Sequence, residues 1–168
     1  TVIFETIRQF RERLMTNDTP TEAARQENAT VATFTINAQY VKDLSFENPN
    51  IPGLLKLESE PSVEMNIDVK GSKLDNDFYE VVLTLSCKGA SGETTLFVAE
   101  LSYASLISLN DVPEEQTQRI LFVECPILMF PFARNIIADA TRDGGYPPIL
   151  MQPVDFQAIF DKSNQGPS

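Results

Sequence analysis

"FYEVVLTLSCKGASGETTLFVAELSYASL", residues 78–106, decides the fold. In its first half Val81, Leu83, Leu85 and Cys87 recur at every second position. That period places them on one face of a β-strand. Ala90-Ser91-Gly92-Glu93 reads as a short turn. The second half alternates again, with Phe97, Ala99, Leu101 and Tyr103 on one face and Leu96, Val98 and Glu100 on the other. Two alternating runs joined by a short turn predict an antiparallel hairpin.

The same period extends upstream. "ATFTINAQYV" from Ala32 alternates Phe34, Ile36, Ala38 and Tyr40 against Thr33, Thr35, Asn37 and Gln39. "SVEMNIDVK" alternates Val63, Met65, Ile67 and Val69. Between them lies "KDLSFENPNIPGLLKLESEP", punctuated by Pro49, Pro52, Gly53 and Pro61. It is too long for a hairpin turn and predicts a crossover. The sum is one four-stranded antiparallel sheet.

Downstream the period becomes helical. Asn110 or Asp111 suits a cap, Pro113 suits the first turn, and Glu114 and Glu115 complement the helix N-terminus. Ile120, Val123, Ile127, Phe130, Arg134 and Ile137 share a stripe. Pro126 and Pro131 each remove a backbone hydrogen bond and predict a kink or restart. Gly144-Gly145 ends the helix as a cap, and "DFQAIFDK" forms a short final helix. Strands first and helices last predict an α+β fold.

At the N-terminus, Ile3, Ile7, Phe10 and Leu14 have helical spacing, and residues 16–30 are polar and aperiodic. Residues 1–30 are therefore expected to be a largely disordered extension. Residues 1–14 fit either an amphipathic helix or an upstream extension ahead of an initiator at Met15.

Composition excludes several function classes. The 168 residues suit one domain, and a net charge of −11 opposes nucleic-acid binding. With no histidine, the chain lacks the usual general base, the histidine-activated nucleophiles and a histidine zinc site. Cys87 and Cys125 sit in apolar runs and are expected as reduced, buried thiols of a cytosolic protein. No run approaches about 18 consecutive apolar residues, so no stable membrane insertion is expected. A basic region followed by an apolar one, as in a signal peptide, is absent from the start. Asp75 and Asp77 read as turn acids rather than calcium ligands, and Glu114 with Glu115 as helix-start acids. Asp139 and Asp143, one helical turn apart, read as surface. No catalytic residue, metal site or cofactor is expected.

The remaining signal is apolar excess. The "VECPILMFPFAR" segment, Val123–Arg134, is apolar on most sides of its helix. A helix apolar all round is buried on more than one side. One sheet face covers one side, so subunit contact is expected on the other, through Ile127, Phe130 and Ile137.

Five segments, "YVKDLSFENPN" (40–50), "DNDFYEVVLTL" (75–85), "GETTLFVAEL" (92–101), "CPILMFPFAR" (125–134) and "GGYPPILMQPVDFQAIF" (144–160), together resemble the SecB protein-export chaperones. They run in order from about Val31 to Phe160. The resemblance implies a cytosolic chaperone domain over residues 31–161, with 162–168 a short flexible tail. It implies a four-stranded antiparallel sheet with a long kinked helix and a short C-terminal helix on one face, assembling as a dimer of dimers. It implies binding of unfolded precursor proteins and delivery to the SecA motor ATPase, without cofactor. Asp43, Glu47, Val98 and Glu100 match the family's motor-binding patch. Val63, Met65 and Ile67 match its client-contact positions. The crossover with Phe46, Ile51, Leu54 and Leu55 is expected as a groove wall. The closing "DKSNQGPS" departs from the family's motor-contacting tail, and that contact is not carried over. The alternative function within the resemblance is a SecB-like chaperone dedicated to one antitoxin. A client-free structural protein is a third.

Overall fold

The computed structural model describes residues 33–50, 61–75 and 78–164. The N-terminal extension, the centre of the crossover with Ile51, Leu54 and Leu55, and Asp77 lie outside them. Four strands, β1 (Thr33–Glu47), β2 (Ser62–Lys73), β3 (Phe78–Ser91) and β4 (Thr94–Asn110), form one antiparallel sheet ordered β1-β4-β3-β2. Gly92, at φ 57°, makes the tight β3–β4 turn, where a side chain would strain the backbone.

One helical rod follows in three segments, α1 (Glu114–Arg119), a π-turn (Ile120–Glu124) and α2 (Cys125–Asp143). A short helix, α3 (Phe156–Asn164), closes the described chain and continues past the expected boundary at 161. The rod packs on one sheet face. Val81, Leu83, Leu85, Leu101 and Ile107 from the strands meet Met129, Ala133 and Ile137 from α2, all fully buried. Phe156 of α3 completes this core edge-on to Phe130, with ring centroids 5.9 Å apart.

Strand β1 departs from the expected alternation. Its ladder to β4 shifts register between Ile36 and Ala38 and again between Val41 and Asp43. Each extra residue moves the following side chains to the other face. Phe34 and Ile36 face the helices, opposite Leu109 and Ile107. Tyr40, expected beside them, lies opposite Ala104 on the other face, helix-free among the described residues. Asn37 at the first bulge donates to Ser108 Oγ at 3.1 Å. A third shift, beside Gly89, buries both Leu96 and Phe97, although strict alternation placed them on opposite faces.

Of the two helix prolines, Pro126 marks the expected restart and Pro131 does not interrupt the helix. Pro126 lies in the first turn of α2, straight after the π-turn, where Cys125 N–H bonds Ile120 O five residues back. The wider turn absorbs one extra residue before the proline. The helix then runs unbroken through Pro131. Pro131 faces outward, and the carbonyl it leaves unbonded belongs to the half-exposed Ile127, where water can serve it. Pro113, not Asn110 or Asp111, is the N-cap, and no side chain bonds there.

At the far end Gly144 N–H bonds Ala140 O, Gly145 N–H bonds Arg142 O and Tyr146 N–H bonds Thr141 O. Gly145 has φ 90°, the left-handed stop that a glycine accepts without strain. Thr141, fully buried, donates to Ile137 O at 3.0 Å and accepts from Ile149 N–H at 3.1 Å. That pair ties the loop after the helix to its last turn.

Candidate functional site

Two surfaces collect the residues singled out by sequence. The first is the helix-free face of the sheet. The ladder sets Glu47 opposite Val98, Ser45 opposite Glu100, and Asp43 opposite Ser102. Asp43, Glu47, Val98 and Glu100 therefore gather on one face of β1 and β4. The second bulge makes this possible: a regular strand after Val41 turns Asp43 and Glu47 toward the helices. The three acids are exposed, and Val98 is half-buried among them. Lys88 on β3 borders Val98 from the other side.

Beside this patch lies a polar cluster that sequence reading missed. Tyr40 Oη donates to Glu80 Oε1 at 2.5 Å, and Lys42 Nζ donates to Glu80 Oε2 at 2.7 Å. The Lys42 ammonium, then the Tyr40 hydroxyl, hold the Glu80 carboxyl below its usual range. The hydrogen bond to Glu80 pushes the Tyr40 phenol up to about 12.

The second surface lies on the helix side of edge strand β2. Val63, Met65, Ile67 and Val69 share that face, as expected. Val63 and Met65 are 45% and 52% exposed, because none of the described helices reaches them. Ile67 and Val69 line an open groove of about 410 Å³ with Phe122 of the π-turn and Ile159 and Phe160 of α3. The Phe122 and Phe160 rings stack with centroids 6.1 Å apart. Gly71 on β2 leaves room for Phe122, since a Cβ there comes within 3.3 Å of its ring. The groove wall is apolar and aromatic, which suits side chains of many shapes without fixed geometry.

Phe46 belongs elsewhere. It shares a sheet row with Met65, through Ala99 and Cys87, but three strands away, about 14 Å. It stacks on Phe97 at 5.8 Å, and Phe97 in turn packs on Tyr146 at 4.9 Å. Asn48 joins this cluster, donating to Gly144 O at 3.0 Å and accepting from Tyr146 Oη at 2.9 Å. Asn50 donates to Thr95 O at 2.8 Å. The cluster anchors the start of the crossover, and Leu54 lies outside the described residues.

The helix residues expected at a subunit interface also separate. Ile127 is 50% exposed, whereas Phe130 and Ile137 point into the protomer's own core at 5% and 0%. Helical phase causes this: around α2, Phe130 and Ile137 lie within about 20° of each other, and Ile127 is turned about 60–80° away. The exposed side instead carries Ile127, Leu128 and Phe132. The rod Glu114–Asp143 is long and apolar enough to cross a membrane by length and composition, but half of its most apolar window is buried inside the protein.

Neither thiol is poised for chemistry. Cys87 and Cys125 are buried and free, and burial pushes both up to about 11. Cys125 contacts Met129 Sδ at 3.6 Å. Among the described residues no group of acids and cysteines has metal-binding geometry.

The sequence model of the SecB family, preprotein translocase subunit SecB, matches residues 26–166. The protein-export protein SecB of Hyphomonas neptunium is 47% identical over 137 residues, 80% of this chain and 81% of that one. That of Maricaulis maris is 44% identical over 144 residues, 85% of this chain and 84% of that one. Among solved structures, a SecB-like chaperone of Mycobacterium tuberculosis, in complex with a ChAD peptide from the HigA1 antitoxin, superposes with a TM-score of 0.60. It covers 72% of this chain and 90% of its own at 12% identity, a likeness of fold alone. Sequence and fold thus agree, and the chain belongs to the SecB family.

Proposed function

We propose that this protein is a cytosolic protein-export chaperone. It binds unfolded precursor proteins, keeps them competent for translocation and delivers them to the SecA motor ATPase. It acts by holding, not by catalysis. Family membership carries this reading, since its relatives are named as protein-export proteins at 44–47% identity over most of their length. The chaperone unit is residues 31–161.

The surfaces give each step a physical basis. Val63, Met65 and Ile67, continued by the Phe122–Phe160 groove, bind exposed apolar segments of the client. Burial there gains roughly 25 cal/mol per Å2 without demanding a sequence. Leu54 of the crossover is a further candidate client contact, whereas Phe46 anchors the crossover on Phe97 instead. Asp43, Glu47, Val98 and Glu100 dock the motor on the opposite sheet face. The side of the rod carrying Ile127, Leu128 and Phe132 is covered by another subunit in a dimer of dimers. Phe130 and Ile137 support that contact from beneath.

The antitoxin-dedicated alternative has behind it only the fold likeness at 12% identity. One experiment separates the two. A denatured, slow-folding precursor is diluted into the protein, and light scattering and SecA binding are followed. Suppressed aggregation together with SecA binding is expected. Unchanged aggregation at stoichiometric tetramer overturns the chaperone reading, and holding without SecA binding favours the alternative.

A further inference from the structure

The bulge after Val41 has an electrostatic side. In a regular strand, Lys42 and Asp43 point to opposite faces. Here the extra residue puts both on the helix-free face, a cation next to an acid of the motor patch. An ammonium free to settle on Asp43 offsets part of that patch's negative potential. Instead Lys42 reaches across β4 to Glu80 on β3, at 2.7 Å.

The route it takes is built. Ala104 lies between, paired with Tyr40 on one side and Val82 on the other. Its methyl group is too short to obstruct the crossing, and it is fully covered although it faces the helix-free side. Both Glu80 oxygens are engaged, one by Tyr40 and one by Lys42. The Glu80 side chain is 16% exposed and that of Lys42 49%, so solvent screens the pair only in part.

We propose that Glu80 is a specificity-determining residue of the motor-docking face: by holding Lys42 over Ala104 it keeps that cation off Asp43 and leaves the acidic patch negative. Tyr40 orients the Glu80 carboxylate for this task. The inference rests on the motor-docking reading of Asp43, Glu47, Val98 and Glu100.

The test is a double-mutant cycle with Glu80→Gln and Lys42→Met, read by SecA affinity at low salt. Glu80→Gln keeps a partner for Tyr40 and frees Lys42, and SecA affinity falls about two- to fivefold. Lys42→Met in the original background changes affinity little. In the Glu80→Gln background the same change restores it, so the two effects do not add. Equal effects of Lys42→Met in both backgrounds mean simple net charge and overturn the proposal. Lys42→Met as harmful as Glu80→Gln means a merely structural clamp and also overturns it.

A second measurement is independent of the motor. Relaxation of the Glu47, Val98 and Glu100 amides by a small cationic nitroxide reports the local potential. It drops in Glu80→Gln, changes little in Lys42→Met alone and recovers in the double variant; no drop, or a rise in Lys42→Met alone as large as that recovery, overturns the proposal. If the nitroxide follows this pattern while Asp43→Lys leaves SecA affinity unchanged, the motor-site reading fails and the sequestration of Lys42 stands.

Discussion

Val98 faces Glu47 across the β1–β4 ladder, on the side of the sheet that carries none of the described helices. An apolar group framed by Glu47, Glu100 and Asp43 is a compact docking point for a basic, partly apolar partner. Asp43→Lys or Glu100→Lys is therefore expected to weaken SecA binding about five- to tenfold at low salt, with a smaller effect at high salt. Client holding is expected to stay unchanged, because the proposed client residues Val63, Met65 and Ile67 are on the other face. Titrating both partners against each variant checks this, and equal loss of both refutes the site.

Met65 is half exposed with no packing partner to lose on its outer side. Met65→Asp is expected to change unfolding free energy by no more than about 0.5 kcal/mol. It lowers suppression of precursor aggregation, since a charge desolvated against an apolar client is costly. Denaturant melts and light scattering on one preparation separate these two outcomes.

Phe132 and Leu128 protrude from the rod while the core lies on its other side. Replacing both with Asp leaves the protomer folded and splits the assembly, because the charges oppose burial between subunits. Native mass spectrometry is expected to show tetramer for the parent and smaller species for the variant. A parent that is monomeric overturns the interface.

The Tyr40–Glu80–Lys42 cluster gives two pH windows. The Glu80 carboxyl is held low in the folded state, so its stabilisation is complete above the ordinary carboxylate range and is lost as pH falls through the lowered value. The Tyr40 phenol is raised to about 12, so its stabilisation is complete below its ordinary value of 10.0 and is lost as pH rises through about 12. Ultraviolet titration is expected to show a late-ionising tyrosine that disappears in Tyr40→Phe.

Thr141 closes the helix by serving two carbonyls and one N–H at once. Thr141→Val leaves the Ile149 N–H without its acceptor. The expected cost is about 1–3 kcal/mol, seen as a lower thermal midpoint and faster amide exchange at Ile149.

Much of this was legible in the sequence, and the rest was hidden for identifiable reasons. β3 and β4 carry an alternation that matches one-sided burial, so Leu83, Leu85 and Leu101 were readable as core. The β1 bulges left no residue-type signature: Asn37 and Lys42 are ordinary strand-face residues, and only the ladder shows that each is extra. Tyr40 was therefore assigned to the wrong face, and its bond to Glu80 was unreadable. The π-turn left none either, because Ile120–Val123 and Cys125–Ala133 are apolar throughout and only burial shows the slip. Buried positions run 120, 121 and 123, then 125, 126, 129, 130 and 133, a slip that a single 3.6-residue period cannot fit. Reading one stripe through it grouped Ile127 with Phe130 and Ile137 at a subunit contact, although burial separates them. The Phe122–Phe160 wall joins residues from two helices, and only their tertiary packing against β2 brings them together.

The five-residue turn at Ile120–Glu124 amounts to a one-letter insertion held in the middle of a helix. Removing any one of those letters converts it to ordinary α-helix and rotates everything before it by about 100° relative to everything after. Phe122 then leaves β2 while Met129 and Ala133 stay on the sheet, or the reverse. A substitution at an exposed position of this rod leaves that phase intact, whereas a change of its length there by one residue does not. Two apolar phases, one facing β2 through Phe122 and one facing the sheet through Met129 and Ala133, are spliced at that point, and the spacing of the splice is what the chain must preserve.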